Sequence, residues 1–520
     1  MNSYLPGERP PVPPGARARL PEERTAIRNT AGDAARARRD TARHSGQPRR
    51  AAYDVLAAVE DREAYANLLL PKLLAERSIV GRDAAFATEL AYGTLRGQGS
   101  YDAVLAACSD RPLGKLDPPV RHVLRLGTHQ LLATRVGAHA AVATSVDLVK
   151  SVAGPRASGY VNAVLRRVAT RDMGAWLEIV APDPMADADG NLATRYSHPR
   201  WIVAAYRDAL GDADDELEAV LDAGNARPRV TLATFPGGPP PAEVMPEDAV
   251  PGRWSPYAFT LTSGDPYPLI ESGLAAVQDE ASQLAAIALS RAPVAAAKPD
   301  AARADELWLD MCAGPGGKSR LLAGLAAGTP DGGTTDDVGP RARLVAAELH
   351  PHRAALVKDA LTRVPGSSAA GADPSAAGAV VVADGTRPPW RDGVFDRVLV
   401  DVPCSGLGAL RRRPEARWRK SESDLRALAA SQRALLRSAL AACRPGGVVA
   451  YVTCSPVSAE TRDVVNAVVG DVPGIEILDA PEVLHDVPGT RSPSRLFAQL
   501  WPHRHGTDAI FIALLRRSTQ

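Results

Sequence analysis

The second half of the chain alternates between strand-like and helix-like segments, and this alternation limits the possible folds more than any other feature. From Leu307 onward the strand-like runs are LWLDMCA, ARLVAAEL, AVVVADG, FDRVLVDV, GGVVAYVTCS and DAIFIALLRR. Most of them are followed by an amphipathic segment such as HRAALVKDAL. Strands that alternate with helices indicate an open, doubly wound sheet. We therefore predict an α/β Rossmann-like domain over residues 291–520.

Two of the predicted strands end in a cysteine. The sequence DVPCS at 401–405 follows FDRVLV, and TCS at 453–455 follows GVVAYV. In an open parallel sheet, ligands bind at the carboxyl ends of the strands. We therefore expect the thiols of Cys404 and Cys454 to face one cleft.

A glycine-rich turn separates the first predicted strand of this domain from the first helix. Its glycines allow a ligand to approach the backbone, and the N–H groups of the following helix can bind an anion. A triphosphate loop would need glycine where Cys312 stands, and a dinucleotide loop would need it at Ser319. The carboxylate of S-adenosylmethionine suits this shorter loop. The predicted cofactor-binding turn consists of Cys312, Ala313, Gly314, Pro315, Gly316, Gly317 and Lys318.

Acidic residues end the next three predicted strands. Glu348 is placed to bind ribose hydroxyls, as in dinucleotide folds, and Asp384 to accept from an adenine amino group. Asp401 ends the fourth strand. One such acid would be ordinary, because Asp is common in turns. Three in succession after a glycine-rich turn support a methyl-donor site.

The pair of thiols suits methylation of a pyrimidine. A cysteine thiolate can attack C6 of the base and so make C5 nucleophilic enough to accept a methyl group. A second cysteine and an aspartate nearby suit the later loss of the C5 proton and release of the thiol. Chemistry alone leaves open which cysteine attacks, since DNA cytosine-C5 methyltransferases use a Pro-Cys thiol, which would be Cys404.

A basic segment follows the first cysteine motif at 411–420. It holds six cations and one tryptophan, a composition that suits phosphate contact and stacking on bases, although a solvated loop is an alternative. The target base would have to leave its stack to reach a thiol. The predicted RNA-contacting residues are Arg411, Arg412, Arg413, Arg417 and Trp418.

A chain of 520 residues is too long to fold around one hydrophobic core, and about three domains are expected. Residues 1–48 are rich in Pro and Arg and predict a disordered basic tail, either an arm for phosphates or a solvated tail. The helical periodicity of 49–170 predicts an all-α bundle. Residues 171–196 hold Pro, Gly and acids and predict a linker, and 197–290 predict a small α+β domain.

Composition narrows the setting but not the substrate. A formal net charge of +1 argues neither for nor against nucleic acid. Five dispersed cysteines are unlike a disulfide framework or a zinc site, so we expect no metal and a reducing cytoplasm. No apolar run approaches the length of a membrane span, and no secretory signal is visible. The sequence does not indicate an oligomeric state, and a monomer is compatible with it.

Long motifs give the chain a family resemblance. The catalytic half resembles the Sun family of RNA cytosine-C5 methyltransferases in CAGPGGK (312–318), AELHPHR (347–353), ADGT (383–386), DVPCSGLGALRRRPEARW (401–418) and TCSP (453–456). AAYDVLAAV, ELAYGTLRG, LRLGTHQLL and GYVNAVLRRV resemble the NusB-like RNA-binding domain. Together they are similar to the RsmB-type branch, which methylates 16S ribosomal RNA.

The resemblance implies a class I methyltransferase fold and a role for each site residue. Cys454 would be the nucleophile, Cys404 would assist proton loss or product release, and Asp401 would contact the cytosine edge. Lys318 would reach from the glycine-rich turn toward the active site, and the turn with Glu348 and Asp384 would hold S-adenosylmethionine. The family usually has Asp where Glu348 stands. The alternatives are the same chemistry on tRNA or another rRNA site, and a NusB-like RNA-binding factor without activity.

Overall fold

The computed structural model describes residues 46–295, 305–327, 342–363 and 378–519. Residues 1–45 of the predicted basic tail lie outside the described residues, and 46–48 begin the first helix. Within the described ranges, no helix combines the length and the apolar content that a membrane span requires.

The N-terminal region is the predicted helical bundle. Val120, Val123 and Leu124 are buried on the predicted face of its fifth helix. Gly127 on this helix allows a close approach, because a Cβ there would lie 2.6 Å from Leu165 Cδ1. The helices are α1 (46–61), α2 (Ala66–Glu76), α3 (Gly81–Arg96), α4 (Gln98–Cys108), α5 (Pro118–Ala133), α6 (Ala138–Ala153) and α7 (Ser158–Val168).

The segment 171–196 is helical rather than an irregular linker, which corrects the expectation from composition. It forms α8 (Met173–Val180) and α9 (Ala188–Arg195). Asp172 and Asp187, which look like linker residues in sequence, accept hydrogen bonds from backbone N–H groups at the two helix starts. Trp176 packs into the core of the bundle, so α8 continues that domain.

The middle region combines helices with a small sheet, as predicted. Its four strands are antiparallel in the order β2-β3-β1-β4. The elements are α10 (Arg200–Leu210), α11 (Leu217–Asn225), β1 (Val230–Ala233), α12 (Pro241–Val244), β2 (Val250–Pro251), β3 (Ala258–Leu261), α13 (Tyr267–Glu271), β4 (Ala276–Val277) and α14 (Glu280–Arg291). The last helix packs in the same core as Trp308 and Leu399 of the large sheet, so it joins the middle region to the next domain.

The C-terminal region is the predicted Rossmann-like domain. Its strands are β5 (Glu306–Asp310), β6 (Ala342–Glu348), β7 (Ala379–Val382), β8 (Phe395–Asp401), β9 (Cys443–Thr453), β10 (Ile475–Leu478), β11 (Ala498–Gln499) and β12 (Phe511–Arg517). Its helices are α15 (Gly317–Ala326), α16 (Pro351–Thr362), α17 (Ala416–Arg419), α18 (Glu422–Ala442), α19 (Arg462–Asp471), α20 (Ala480–Val483) and α21 (Pro502–His505).

The order of the large sheet places the candidate site. The order is β10-β12-β9-β8-β5-β6-β7, with β11 beside β12. Strands β5 to β9 pair in parallel, whereas β12 is antiparallel to β9 and β10. Helices α14 and α15 pack on one face, and α18 and α19 pack on the other. The strand order reverses between β5 and β8, which is where doubly wound sheets open a ligand crevice.

Candidate active site

The two cysteines meet at the carboxyl edge of the large sheet. Strands β8 and β9 are parallel neighbours, with Asp401 beside Val452. The turns that follow them bring Cys404 Sγ to 3.1 Å from Cys454 Sγ. The hydrogen bond with Cys454 and burial raise the pKa of the Cys404 thiol well above its usual value, and the charges of Glu460 and Asp401 add to this. Cys404 therefore keeps its proton at neutral pH.

A lysine–aspartate pair lies at the same edge of the sheet. Lys318 Nζ, from the first turn of α15, is 2.7 Å from Asp401 Oδ2 and 3.4 Å from Ser282 Oγ. Burial alone would lower the pKa of Lys318, but the Asp401 carboxylate and hydrogen bond outweigh burial and raise it. Lys318 thus stays charged beside Asp401, at the end of the strand that leads to Cys404.

The glycine-rich turn leads from β5 into α15. Gly316 has a φ of +108°, a conformation that favours glycine, and it immediately precedes the helix. A Cβ at Gly314 would lie 2.1 Å from Glu348 Oε2, so a side chain there would have to displace Glu348. The turn therefore carries no side chain at Gly314, on the side that faces the end of β6.

The two other predicted acids differ in their surroundings. Glu348 is buried and accepts hydrogen bonds from the N–H groups of Gly314 (3.1 Å) and His350 (3.0 Å). Asp384 is exposed, and it accepts from the hydroxyl and the N–H of Thr386, which lower the pKa of its carboxyl. Glu348 is thus tied to the glycine-rich turn, whereas Asp384 is open to solvent.

Asp310 is a site residue that the sequence analysis missed. It ends β5 as Asp401 ends β8, and this strand-end position is the signal that could have identified it. Burial raises the pKa of Asp310 to about 7, and the neighbouring Asp401 adds to this, against a hydrogen bond donated by Ser319 Oγ (2.6 Å). Its Oδ1 atom is buried without a hydrogen-bond partner.

A cleft of about 310 Å³ is bordered by the glycine-rich turn, Asp310 and the Lys318–Asp401 pair. Its lining does not include Cys404, Cys454, Glu348 or Asp384. Its wall includes two buried polar groups with unpartnered atoms, Asp310 Oδ1 and the side-chain amide of Gln278. Such groups are costly when they stay unpaired, so they indicate a polar ligand. The lining residues are Val277, Gln278, Asp279, Ser282, Asp310, Cys312, Ala313, Gly314, Pro315, Gly317, Lys318, Asp401, Arg412, Arg413 and Asp508.

The structure corrects the expected RNA contact of Arg411. Its Nη1 donates to Gly506 O (2.8 Å), and its Nη2 is 3.1 Å from Asp508 Oδ1. Arg412 joins the same cluster, 2.7 Å from Asp279 Oδ2 and 3.1 Å from Asp508. Burial and the charge of Asp279 raise the pKa of Asp508 to about 6. These arginines neutralise carboxylates at the cleft wall, and buried Arg411 offers no free charge to a phosphate.

Arg417 requires the same correction. It is fully buried where the bundle, the middle region and the catalytic domain meet. Its Nη1 donates to Ser197 O and Asn225 Oδ1, both at 2.8 Å, and to Arg96 O at 3.4 Å. Burial lowers the pKa of its guanidinium to about 10. Arg417 therefore connects domains rather than contacting a nucleic acid.

The remaining predicted contacts lie at the border of this junction. Arg413 is exposed, with its guanidinium 5.3 Å from the ring centre of Tyr65. Trp418 is half-buried against α4, where a Cβ on Gly99 would lie 2.6 Å from its ring. Both side chains retain surface that RNA could contact, so their role stays a prediction.

Comparison with known proteins agrees with this architecture. Residues 46–170 match the NusB family, and residues 300–516 match the family described as 16S rRNA methyltransferase RsmB/F. A Mycobacterium tuberculosis protein named as a candidate methyltransferase is 48% identical over 91% of this chain and 96% of its own length. A Pseudomonas putida relative named ribosomal RNA small subunit methyltransferase B is 31% identical over 90% of this chain and 98% of its own length.

The chain belongs to the RsmB/F methyltransferase family. The resemblance drawn from the sequence motifs, including its NusB-like domain, is therefore confirmed. The crystal structure of the protein PH0851 matches with a TM-score of 0.71 and 22% identity, covering 91% of this chain and 99% of that one. The shared fold thus extends through all three regions of this RsmB/F-family chain.

Proposed function

We propose that this methyltransferase transfers a methyl group from S-adenosylmethionine to C5 of a cytosine in 16S rRNA, through a covalent bond between Cys454 and C6. The observation that carries the proposal is the pair of thiols 3.1 Å apart, beside the Lys318–Asp401 ion pair. Lys318 and Asp401 line the cleft that also contains the glycine-rich turn. Cys454, Cys404 and the methyl donor bound at the glycine-rich turn would then all reach the same base.

The cleft has features that fit S-adenosylmethionine. The backbone of the turn at 312–318 and the N-terminus of α15 would receive the carboxylate. Glu348 would bind the ribose and Asp384 the adenine amino group, as the order of the strand ends suggests. The unpartnered Asp310 Oδ1 is a further acceptor in the same wall. When bound, this cofactor supplies an electrophilic methyl group.

The two cysteines divide the covalent cycle. Cys454 attacks C6 as a thiolate, which makes C5 the nucleophile. The proton on Cys404, retained because its pKa is raised, makes Cys404 a poor nucleophile but a suitable donor to the Cys454 sulfur when that sulfur leaves C6. Asp401 accepts from the amino group at the cytosine edge, and Lys318 holds that carboxylate in an ion pair. Release requires loss of the C5 proton, which Asp401 or water can accept.

The ribosomal substrate is supported by the relatives and by domain content. Relatives that match over nearly their whole length are named ribosomal RNA small subunit methyltransferase B. The bundle at 46–170 matches the NusB family, and a helical module beside the cleft suits recognition of a structured RNA. A cytoplasmic location follows from such a substrate.

The proposal is tested with 16S rRNA from a deletion strain. Purified protein and labelled S-adenosylmethionine should restore one bisulfite-resistant cytosine, and Cys454→Ala should restore none. Methyl transfer at another atom, or to tRNA but not to 16S rRNA, would overturn the corresponding part of the proposal.

A further inference from the structure

A buried carboxylate lies behind the Cys404 turn, outside the cleft lining described above. Glu460 follows β9 and is fully buried. Its carboxylate accepts hydrogen bonds from Ser405 N at 2.8 Å, from Ser405 Oγ at 2.5 Å and from Gln432 Nε2 at 3.1 Å. In all three contacts the carboxylate oxygens of Glu460 accept the hydrogen bond.

Gln432 completes a clamp around the cysteine. The same Nε2 atom, on α18, also donates to Pro403 O at 2.9 Å. The carbonyl before Cys404 and the amide after it are thus held by one pair of buried side chains, Gln432 and Glu460. Tyr451 OH donates to the backbone carbonyl of Glu460 (2.6 Å), which anchors the clamp to β9 itself.

We infer that Glu460 is a positioning residue that holds the Cys404 thiol against Cys454. The inference rests on the proposed function and assigns to Glu460 the control of its release step. The geometric basis is the clamp, since Cys404 lies between the two backbone groups that Glu460 and Gln432 hold. The electrostatic basis is the buried negative charge of Glu460, which contributes to the raised pKa of Cys404.

Glu460 supports the elimination step, in which C5 loses its proton and Cys454 leaves C6. The C5–H bond breaks, and its electrons form the C5–C6 double bond. The bond between C6 and Cys454 Sγ breaks, and its electrons stay on that sulfur. Cys404 gives its proton to the departing sulfur, and the proton lost from C5 restores the Cys404 thiol through Asp401 or solvent. A misplaced or ionised Cys404 would slow this step without preventing attack by Cys454.

The test is a double-mutant cycle between Glu460→Gln and Cys404→Ala. Glu460→Gln should lower turnover roughly 10–100-fold, at or below the range for outright loss of an acid–base group. It should accumulate covalent protein–RNA complex with ordinary cytosine, and it should still form a full adduct with 5-fluorocytosine RNA. In the Cys404→Ala background, Glu460→Gln should have no further effect, because it acts through Cys404.

Further variants separate positioning from loss of folding. Glu460→Asp should recover part of the turnover. If Glu460→Gln melts at a much lower temperature than the wild type, Gln432→Met replaces it, and this variant should also accumulate the covalent complex, to a smaller extent. Glu482→Gln, at an exposed glutamate in α20, is the matched control and should behave like the wild type. The same loss of turnover in both Cys404 backgrounds would show that Glu460 is only structural. Absence of any wild-type adduct would instead refute the proposed function.

Discussion

The Cys404 turn and the basic segment at 411–420 are neighbours in sequence, but different forces fix their side chains. The position of Cys404 follows from β8 and from the parallel pairing of β8 with β9, which brings its sulfur to Cys454. Arg417, by contrast, takes its partners from residues far away in the chain, at 96, 197 and 225. Backbone topology positions the first group, and contact between domains positions the second.

This difference separates residues that should affect the reaction from residues that should affect stability. The thiols of Cys404 and Cys454 and the Lys318–Asp401 pair contact groups at neighbouring strand ends, whereas Arg411, Arg412 and Arg417 satisfy buried carbonyls and carboxylates. Substitutions in the cleft should therefore change the reaction and leave the fold intact. Substitutions at the junction should change stability first.

The largest effect is expected at Asp401. Asp401→Ala removes the proposed contact with the base and the ion-pair partner of the half-buried Lys318. We expect methyl transfer to fall by about 10²–10³-fold, as for loss of a preorganised polar group at a reacting centre. Incorporation of labelled methyl groups into an rRNA fragment measures this, with thermal melting as the check on folding. Wild-type rates in Asp401→Ala would place the chemistry elsewhere.

An intermediate effect is expected at Arg417. Arg417→Ala leaves Ser197 O and Asn225 Oδ1 buried without their donor. Each lost hydrogen bond to a charged group is worth about 1.5–3 kcal/mol, so loss of the two should lower the free energy of unfolding by roughly 3–6 kcal/mol. Urea unfolding followed by circular dichroism measures the change. Arg417→Lys serves as the control and should recover part of it, whereas unchanged stability would contradict the assigned role at the junction.

The smallest effect is expected at Arg413. This side chain is exposed, and its contact with Tyr65 is worth about 0.5–1 kcal/mol at such a site. If Arg413 contacts a phosphate, Arg413→Ala should leave stability nearly unchanged and reduce the salt dependence of RNA binding by about one unit of slope. Titrations of a labelled rRNA fragment at several salt concentrations measure that slope. An identical slope in Arg413→Ala would remove Arg413 from the RNA interface.

The sequence predicts the sheet and its ligand edge well because both depend on local patterns. The strand runs, the glycine-rich turn and the acids at 348, 384 and 401 follow from periodicity and position, and the same position at the end of β5 could have identified Asp310. It does not predict Glu460 or Gln432 at the Cys404 turn, since their role depends on α18 and β9 packing together. It misassigns Arg417 because composition cannot distinguish a guanidinium that binds phosphate from one that caps buried carbonyls. Within the basic segment, the acidic residue Glu415 is the local feature that argues against a continuous phosphate-binding surface.

The central claim is that Cys454 forms the bond to the base. The direct measurement traps the wild-type protein on 5-fluorocytosine RNA, digests the complex and locates the attached nucleotide by mass spectrometry. Trypsin, which does not cleave before proline, separates the two candidates, since Cys404 falls in residues 398–411 and Cys454 in residues 438–462. We predict the nucleotide on Cys454. A nucleotide on Cys404 would contradict the account and reverse the roles of the two thiols.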